Sequence, residues 1–435
     1  MVACGDDGGA NKLPDAPLAD AATPDTPDQP VPARLTIKRD GVGVEGIDVY
    51  FQNADSSLVA KVPTNANGVA EARIAPGAFV TVVNPFERVL TGLRQVDVQT
   101  FAGVQPGDQL QLSEGSPERI YTNIQATIDP DPNGAQYKMW ATCKIFYDKS
   151  DATMPYYFSV GSGGSDRPTA TTDLVNCGST TDMLIESEDG TGSSAGWIFK
   201  DDVAVSEGAS IDITDAYTAT PTVTLQYTDL PTTVFSIYAS NVLATSDGPL
   251  WREALSIGSG GGSSISYQRP APPTATQVFF TNLSLSSGPT SHYVVDWMPI
   301  TTAPTLSLSN ALLRRITSAP AYDAATATAT WVEEATGEAP DLAIARVTAT
   351  RDGTPLAWSW RLAGPVSGAT LKYPTLPSEI AQYNVAADDD VAIYDLTVAK
   401  VPGGYNTVRP IVLSQDLAGF FAGTSGRVLV QRYFD

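Results

Sequence analysis

The only histidine in the chain limits what nucleophilic chemistry the sequence can support. A serine nucleophile needs a base that titrates near neutrality, so a Ser-His-Asp hydrolase would have to use His292, which shares a predicted strand with Asp296. The one Gly-x-Ser-x-Gly match spans residues 192–196. It follows an acidic, glycine-rich loop and precedes strand-like residues, whereas a nucleophile turn joins a strand to a helix. The sequence therefore disfavours a serine hydrolase.

Oxygen ligands for calcium are the second chemistry to consider. Residues 129–134 read Asp-Pro-Asp-Pro-Asn-Gly and resemble the first half of a calcium-binding loop, with Asp129, Asp131 and Asn133 as ligands. The twelfth position is Trp140 instead of a bidentate glutamate, and an acidic hairpin turn is the alternative. Residues 388–390, with Asp395 nearby, form a second oxygen-rich stretch. With one histidine and three cysteines a transition-metal site is disfavoured, so we expect no cofactor other than calcium at Asp129, Asp131 and Asn133.

Paired carboxylates could serve a glycoside hydrolase, and tryptophans could stack on sugars. Glu333 and Glu334 lie next to Trp331 and form the most suggestive acidic pair. Trp358 and Trp360 are two residues apart and therefore share one face of a strand. We expect these two rings to fill a core, with sugar stacking as the alternative.

The two cysteines in the body of the chain predict a disulfide bond. Cys143 and Cys177 would pair in a compartment outside the reducing cytoplasm. Two separate buried thiols are the alternative. No catalytic residue is predicted, and the residues that would bind a ligand are not identified.

The third cysteine, Cys4, follows Val2 and Ala3 and precedes a polar segment. This arrangement resembles the cleavage site of bacterial cell-envelope lipoproteins, in which the cysteine becomes the lipidated first residue. The resemblance implies lipidation of Cys4 and a location in the bacterial cell envelope, at the outer membrane or the surface. The charged and apolar regions of a signal peptide would lie upstream, so we expect a gene product about 15–20 residues longer. A cytosolic protein with a chance cysteine is the alternative.

Residues 1–32 are rich in proline and aspartate and have no apolar periodicity. Such a segment buries too little surface to offset the entropy of ordering, and repelling aspartates extend it. We therefore predict a disordered stalk over 1–32.

The composition of the 435 residues excludes some partners. Hydrophobic residues make up 42% and charged residues 17%, which is enough apolar material for cores. The net charge of −22 argues against nucleic acid and against direct attraction to anionic lipid. The expected membrane contact is therefore the lipid anchor alone.

Residues 33–115 show alternating apolar positions separated by turn signals. Thr64, Asn65 and Gly68 mark one turn, and Pro76 and Gly77 precede a strand that begins near Phe79. This pattern resembles the carboxypeptidase-regulatory-like or collagen-adhesin B-type module. The resemblance implies a small immunoglobulin-like sandwich, with Phe79 in its core.

The remaining chain also predicts short strands at close spacing, separated by loops rich in glycine, serine and aspartate. We assign three further β-sandwiches to 117–230, 231–316 and 317–435. The last of these includes a predicted strand Val408–Leu413 and a short helix from Ser414 to Phe421. The predicted fold class is all-β, with tandem immunoglobulin-like β-sandwich domains after a disordered stalk.

These features favour a non-enzymatic cell-surface lipoprotein with a structural, adhesion or assembly role. Its partners would be the membrane through the anchor, and an envelope protein or a polysaccharide. A carbohydrate-binding lipoprotein that presents tryptophans is the first alternative. A carboxylate-based glycan hydrolase is the second.

Overall fold

The computed structural model describes residues 31–84, 96–114, 120–145, 157–162, 167–230, 234–257, 263–285, 290–309, 312–351, 356–413 and 426–434. Cys4, almost all of the predicted stalk and the predicted helix 414–421 lie outside the described residues. Within them nearly all of the regular secondary structure is strand, which confirms the predicted all-β class. None of the described helices is long and apolar enough to cross a membrane.

The first sandwich packs two layers against each other, and strands are numbered in chain order. One layer contains β1 (Ala33–Arg39), β2 (Val42–Gly43), β5 (Val69–Ala72) and β8 (Gln109–Glu114). The facing layer contains β3 (Asp48–Gln52), β4 (Leu58–Pro63), β6 (Ala78–Val83) and β7 (Val96–Val104). Leu35 and Ile37 of β1 meet Phe51 of β3 and Phe101 of β7 in the fully buried space between the layers.

The turn predicted at Thr64 and Asn65 is present. The Thr64 hydroxyl accepts a hydrogen bond from Ile47 N at 2.9 Å, and Asn65 Oδ1 accepts one from Val69 N at 3.1 Å. Gly68 has a φ of +74°, and a Cβ there would lie 2.1 Å from Ile37 O, so the turn requires glycine.

Phe79 does not fill the core of this sandwich. Ala78, Val80 and Val82 point between its two layers, so the alternation of β6 turns Phe79 to the opposite face. There it packs in the core that contains Trp358 and Trp360.

The second sandwich is built from two separate sheets. One has the order β11–β13–β9–β16, with β9 (Tyr121–Ile128), β11 (Lys144–Ile145), β13 (Thr169–Val175) and β16 (Ala209–Ile213). The other has the order β12–β10–β14–β15–β17, with β10 (Gln136–Ala141), β12 (Tyr157–Ser162), β14 (Thr180–Glu188), β15 (Ser194–Ala204) and β17 (Thr218–Ala219).

The disulfide between Cys143 and Cys177 is formed, with Cα atoms 4.9 Å apart, which confirms the prediction. Cys143 lies where the chain passes from β10 to β11, and Cys177 follows β13. The bond therefore links the segment that crosses from one sheet to the other with the end of β13.

The third sandwich pairs a small sheet with four long strands. The small sheet has the order β21–β18–β24, with β18 (Thr222–Thr228), β21 (Ser264–Gln268) and β24 (Thr305–Ser307). The long strands are β19 (Val234–Thr245), β20 (Gly248–Ile257), β22 (Thr276–Leu285) and β23 (Thr290–Met298). The sequence places β18 in the unit 117–230, but all its strand partners belong to the third sandwich.

The fourth sandwich has the same design. Its small sheet has the order β25–β26–β29, with β25 (Ala321–Asp323), β26 (Thr328–Thr330) and β29 (Thr370–Lys372). Its long strands are β27 (Leu342–Thr350), β28 (Ala357–Pro365), β30 (Asp390–Lys400) and β31 (Val428–Phe434). A 3-10 helix spans Ser378–Tyr383.

The predicted strand Val408–Leu413 is wrong. A short helix α1 (Tyr405–Val408) and consecutive turns occupy this stretch. The cause lies in the local residues: Gly403 and Gly404 have positive φ, and Pro410 lacks the N–H that a strand ladder needs.

The first, third and fourth sandwiches share one twelve-stranded sheet, with the order β20–β19–β22–β23–β31–β30–β27–β28–β7–β6–β3–β4. The parallel pair β28–β7 joins the fourth sandwich to the first, and the pair β23–β31 joins the third to the fourth. Backbone hydrogen bonds therefore cross from one predicted unit to another. The boundary residues at 115, 230 and 316 stay predictions.

Candidate functional site

His292 lies on β23 and is only 2% exposed. Its Nε2 lies 3.3 Å from Thr290 Oγ1 and 3.3 Å from the Gln431 amide. Burial lowers its pKa to about 4, so the ring is neutral near pH 7. Asp296 instead forms an ion pair with Arg427 at 2.7 Å. The ring is a core residue, and this geometry offers no base for a serine nucleophile.

The Gly-x-Ser-x-Gly match is a hairpin turn. Ser194 begins β15 directly after the turn from β14, so a strand and not a helix follows it. The turn is closed by the Asp189 carboxylate, which accepts hydrogen bonds from the backbone of Thr191 and Ser193 at 2.8 and 3.0 Å. This arrangement is a structural turn and lacks the strand–helix geometry of a nucleophile turn.

The predicted calcium ligands contact protein groups. Asp131 is 6% exposed, and its carboxylate accepts hydrogen bonds from Ser187 Oγ and, at 2.9 Å, from Asn133 N. Asp129 forms an ion pair with Arg167. In the second acidic stretch, Asp389 pairs with Arg351 at 2.8 Å. Calcium at Asp129, Asp131 and Asn133 stays a prediction.

The acidic pair near Trp331 is also used in structural contacts. Glu333 accepts a hydrogen bond from Trp331 Nε1 at 2.6 Å, and Glu334 pairs with Arg315. Trp358 and Trp360 are each 1% exposed, which confirms that they fill a core. All seven tryptophans lie in described ranges, and none is exposed. The described structure therefore has no exposed tryptophan ring on which a sugar could stack.

An apolar depression of about 360 Å³ lies on the face of β19, β20, β22 and β23. Tyr238, Phe280 and Tyr293 supply its aromatic lining, and Asn282 is among its few polar residues. No carboxylate, histidine, lysine or arginine lines it. Its two tyrosine hydroxyls are therefore the only titratable side-chain groups in the lining.

A cluster of buried aromatic and ionisable groups lies where the second and third sandwiches meet, and we call it the junction cluster. The hairpin β19–β20 packs on the outer face of the β10–β14–β15 sheet. The apolar part of the junction cluster consists of Trp140, Leu184, Trp197, Leu243, Leu250, Trp251 and Ala275. The rings of Trp140 and Trp251 lie 6.3 Å apart at a tilted angle, which is a favourable aromatic geometry.

Glu186 is the polar centre of the junction cluster and is 5% exposed. Its Oε2 accepts hydrogen bonds from Trp140 Nε1 at 3.3 Å and from Trp251 Nε1 at 3.2 Å. Burial raises the pKa of the Glu186 carboxyl, because the charged form is desolvated. Hydrogen bonds from Ser194 and Trp251 offset part of that rise.

The rim of the junction cluster carries charge. Lys138 pairs with Glu188, and its ammonium lies 4.6 Å from the centre of the half-exposed Tyr157 ring. Glu253 adds a further carboxylate from β20, close enough to Glu186 for the two charges to interact. The rim therefore surrounds the buried acid with one cation and two anions.

A second set of contacts closes the same junction. Asp182 is 5% exposed and accepts a hydrogen bond from Thr245 Oγ1 at 2.5 Å and one from Asp202 N at 3.1 Å. Carboxylate oxygens of Asp182, Asp202 and Asp247 lie within 4.8 Å of one another. Because Asp182 is already satisfied by protein donors, we assign no ion to these acids.

Sequence reasoning missed the junction cluster because its members are far apart in the chain. Trp140 and Trp251 lie 46 and 65 residues from Glu186. One signal is present in the sequence. Glu186 directly follows the apolar run Met183–Ile185 in a buried strand, where a carboxylate needs hydrogen-bond partners to offset its burial.

No family model and no curated protein matches the chain. Among solved structures, the chain is similar to the Bacillus anthracis TIE protein, with 10% identity, coverage of 64% of this chain and 50% of that one, and a TM-score of 0.15. It is also similar to two B repeat units of the collagen binding protein of Staphylococcus aureus, with 10% identity, 84% and 88% coverage, and a TM-score of 0.14. A third is GBS52, the minor pilin of Streptococcus agalactiae, with 11% identity, 43% and 97% coverage, and a TM-score of 0.17.

The chain spans about half the length of the TIE chain. TM-scores this low carry no argument about fold or function.

Proposed function

We propose that the chain is a non-enzymatic, surface-exposed protein with a structural, adhesion or assembly role, anchored in the bacterial envelope through a lipid on Cys4. One observation carries the proposal. In the described residues, the groups that could do chemistry are engaged in packing: His292 is buried and neutral, Glu333 and Glu334 are paired, and Glu186 joins two sandwiches.

The redox state of the body supports an extracytoplasmic location. Disulfides persist in oxidising compartments and are rare where glutathione keeps thiols reduced, and Cys143 and Cys177 are bonded to each other. Cys4 is then the one cysteine left for lipidation. Lipid anchoring needs no spanning helix, in keeping with the resemblance of its N-terminal residues to a lipoprotein cleavage site.

The location is tested by expressing the gene with its own upstream region in a bacterial host. Metabolic labelling with a fatty-acid analogue is expected to mark the wild type and to leave Cys4→Ser unmarked. Protease added to intact cells is expected to remove the wild-type protein. If the wild type is unlabelled and mass spectrometry finds an intact Met1, the proposed lipid anchor is wrong.

The lack of enzymatic activity and the ligand class are tested on the purified protein. We expect no release of reducing ends from cell-wall glycan or from a polysaccharide panel. Tryptophan fluorescence is expected to stay constant during polysaccharide titration, because none of the described tryptophans is exposed. Release of reducing ends that Glu333→Gln or Glu186→Gln abolishes would favour a glycan hydrolase instead.

A further inference from the structure

In each of the first three sandwiches, the first strand runs parallel to a strand at or near the end of the unit. In the first, β1 runs parallel to β8, with six paired positions from Arg34 with Gln109 to Arg39 with Glu114. In the second, β9 runs parallel to β16, and in the third, β18 runs parallel to β24. In each of these sandwiches, the strand by which the chain enters therefore forms a parallel ladder with a strand close to the point where the chain leaves.

This direction decides how the hydrogen bonds respond to a pull on the chain. Tension drags the beginning of the first strand one way and the end of the last strand the other way. In a parallel pair these points lie at opposite ends of the ladder, so all the bonds are loaded together in shear. In an antiparallel pair they lie at the same end, and the bonds open one after another.

The pair β1–β8 has further support on both sides. β5 bonds to the opposite side of β1 over Ala33–Thr36, and β2 continues this contact at Lys38 and Arg39, so β1 is an interior strand. The inward residues Leu35 and Ile37 are fully buried. A strand in this position cannot leave along its axis without breaking both ladders.

The other strand, β8, is held to the fourth sandwich. Gln111 N donates to Pro410 O at 2.7 Å. The nearly buried Arg409 forms an ion pair at 2.7 Å with Asp108, the residue that precedes β8, and also donates to Gly103 O at 2.9 Å. A load that reaches β8 is therefore passed to the fourth sandwich through these contacts.

We propose that the parallel pair β1–β8 resists tension that enters through the N-terminal segment, with β9–β16 and β18–β24 as the corresponding pairs of the next two sandwiches. This is a mechanical property of the fold, and it goes beyond the proposed function. It holds or fails whatever the protein binds and wherever it is located.

The test is single-molecule pulling on the full chain from four exposed positions, in a Cys4→Ser background that leaves the disulfide intact. Handles are attached through pairs of cysteines at Arg34 and Lys38 of β1 and at Gln109 and Ser113 of β8. The pairs R34C with S113C and K38C with Q109C load the ladder in shear. The pairs R34C with Q109C and K38C with S113C are the matched controls, because they load the same bonds from one end.

We expect both shear pairs to unfold at a mean force on the order of twofold higher than both control pairs at equal pulling speed, because forced unfolding follows the barrier along the loaded direction. Equal forces in the two geometries would overturn the proposal. The proposal would also be overturned if the unfolding force depended on the position of one handle and not on the handle with which it is combined. The two independent shear pairs keep the test decisive if one variant does not fold.

Discussion

The Oε2 atom of Glu186 lies 3.2 Å from the indole nitrogen of Trp251, and this contact joins the second sandwich to the third. The same oxygen accepts the indole N–H of Trp140 on the neighbouring strand. A buried acid is therefore held by one donor from each side of the junction, and the first two predictions follow from this geometry.

Trp251→Phe removes the N–H donor but keeps an aromatic ring in the junction. We expect a loss of about 1–3 kcal/mol in unfolding free energy, because Glu186 loses a partner while it stays buried. Urea denaturation followed by near-ultraviolet circular dichroism measures this loss. Trp197→Phe is the matched control, since its Nε1 is buried in the same cluster without a hydrogen-bond partner. Equal losses in the two variants would contradict the role of the hydrogen bond.

The raised pKa of Glu186 makes the junction sensitive to pH. Its folded-state pKa lies above the ordinary value of 4.5, so the folded form binds this proton more tightly than the unfolded chain does. The resulting stability is present below the unfolded pKa and is lost as pH rises through the folded pKa. Glu186→Gln is expected to remove this dependence, measured as the difference in unfolding free energy between about pH 4 and pH 8.

The charged neighbours of Glu186 define the controls for this pH experiment. Lys138 and Glu188 face it from the rim, and Glu253 faces it from β20. Glu188→Gln is therefore measured alongside, and it is expected to keep most of the pH dependence. If Glu186→Gln and the wild type gave superimposable profiles, the buried acid would not be the source.

His292 is expected to act in the opposite direction over an overlapping range. Its pKa falls from 6.5 to about 4 on folding, so the unfolded chain binds the proton more tightly between these values. Stability is then lost as pH falls from the unfolded pKa towards the folded one, by roughly 3 kcal/mol in total. Because the chain has one histidine, a single imidazole signal in the NMR spectrum reports the titration. A midpoint near 6.5 in the folded protein would show the prediction to be wrong.

Reduction of the disulfide is expected to weaken the second sandwich. The bond closes a loop with a sequence separation of 34, for which the loss is about 2–4 kcal/mol. Cys143→Ser with Cys177→Ser is compared with the wild type in thermal unfolding. Reductant is expected to lower the melting temperature of the wild type and to leave that of the double variant unchanged. A Cys4→Ser variant serves as the control, and it should respond to reductant as the wild type does.

The local features of the fold could be predicted from the sequence, but the pairing of distant strands could not. Alternation and turn chemistry located most strands, and the positive φ of Gly68 and the burial of Trp358 follow from residue type. Phe79 was assigned to the wrong core because the face of a strand depends on the sheet that packs against it. The β28–β7 pairing joins residues more than 250 positions apart, and no local pattern encodes such a contact.

The candidate site was hidden for the same reason. The sequence draws attention to the acids at 129–133 and 388–390, because they are close together in the chain. Glu186 became notable only when Trp140 and Trp251 were brought to it by separate strands. The disulfide, in contrast, could be predicted, because two cysteines allow one pairing within the body.

The position of β31 between β23 and β30 has a consequence for biogenesis. Since the chain is synthesised from its amino end, β31 (residues 428–434) is among the last segments made. Until it is available, β23 and β30 lack their shared partner, so the long sheet remains divided between the third and fourth sandwiches. Such late closure slows folding, as distant pairings do in general. A chain that lacks these last residues would therefore leave β23 and β30 as open edges that could pair with other strands.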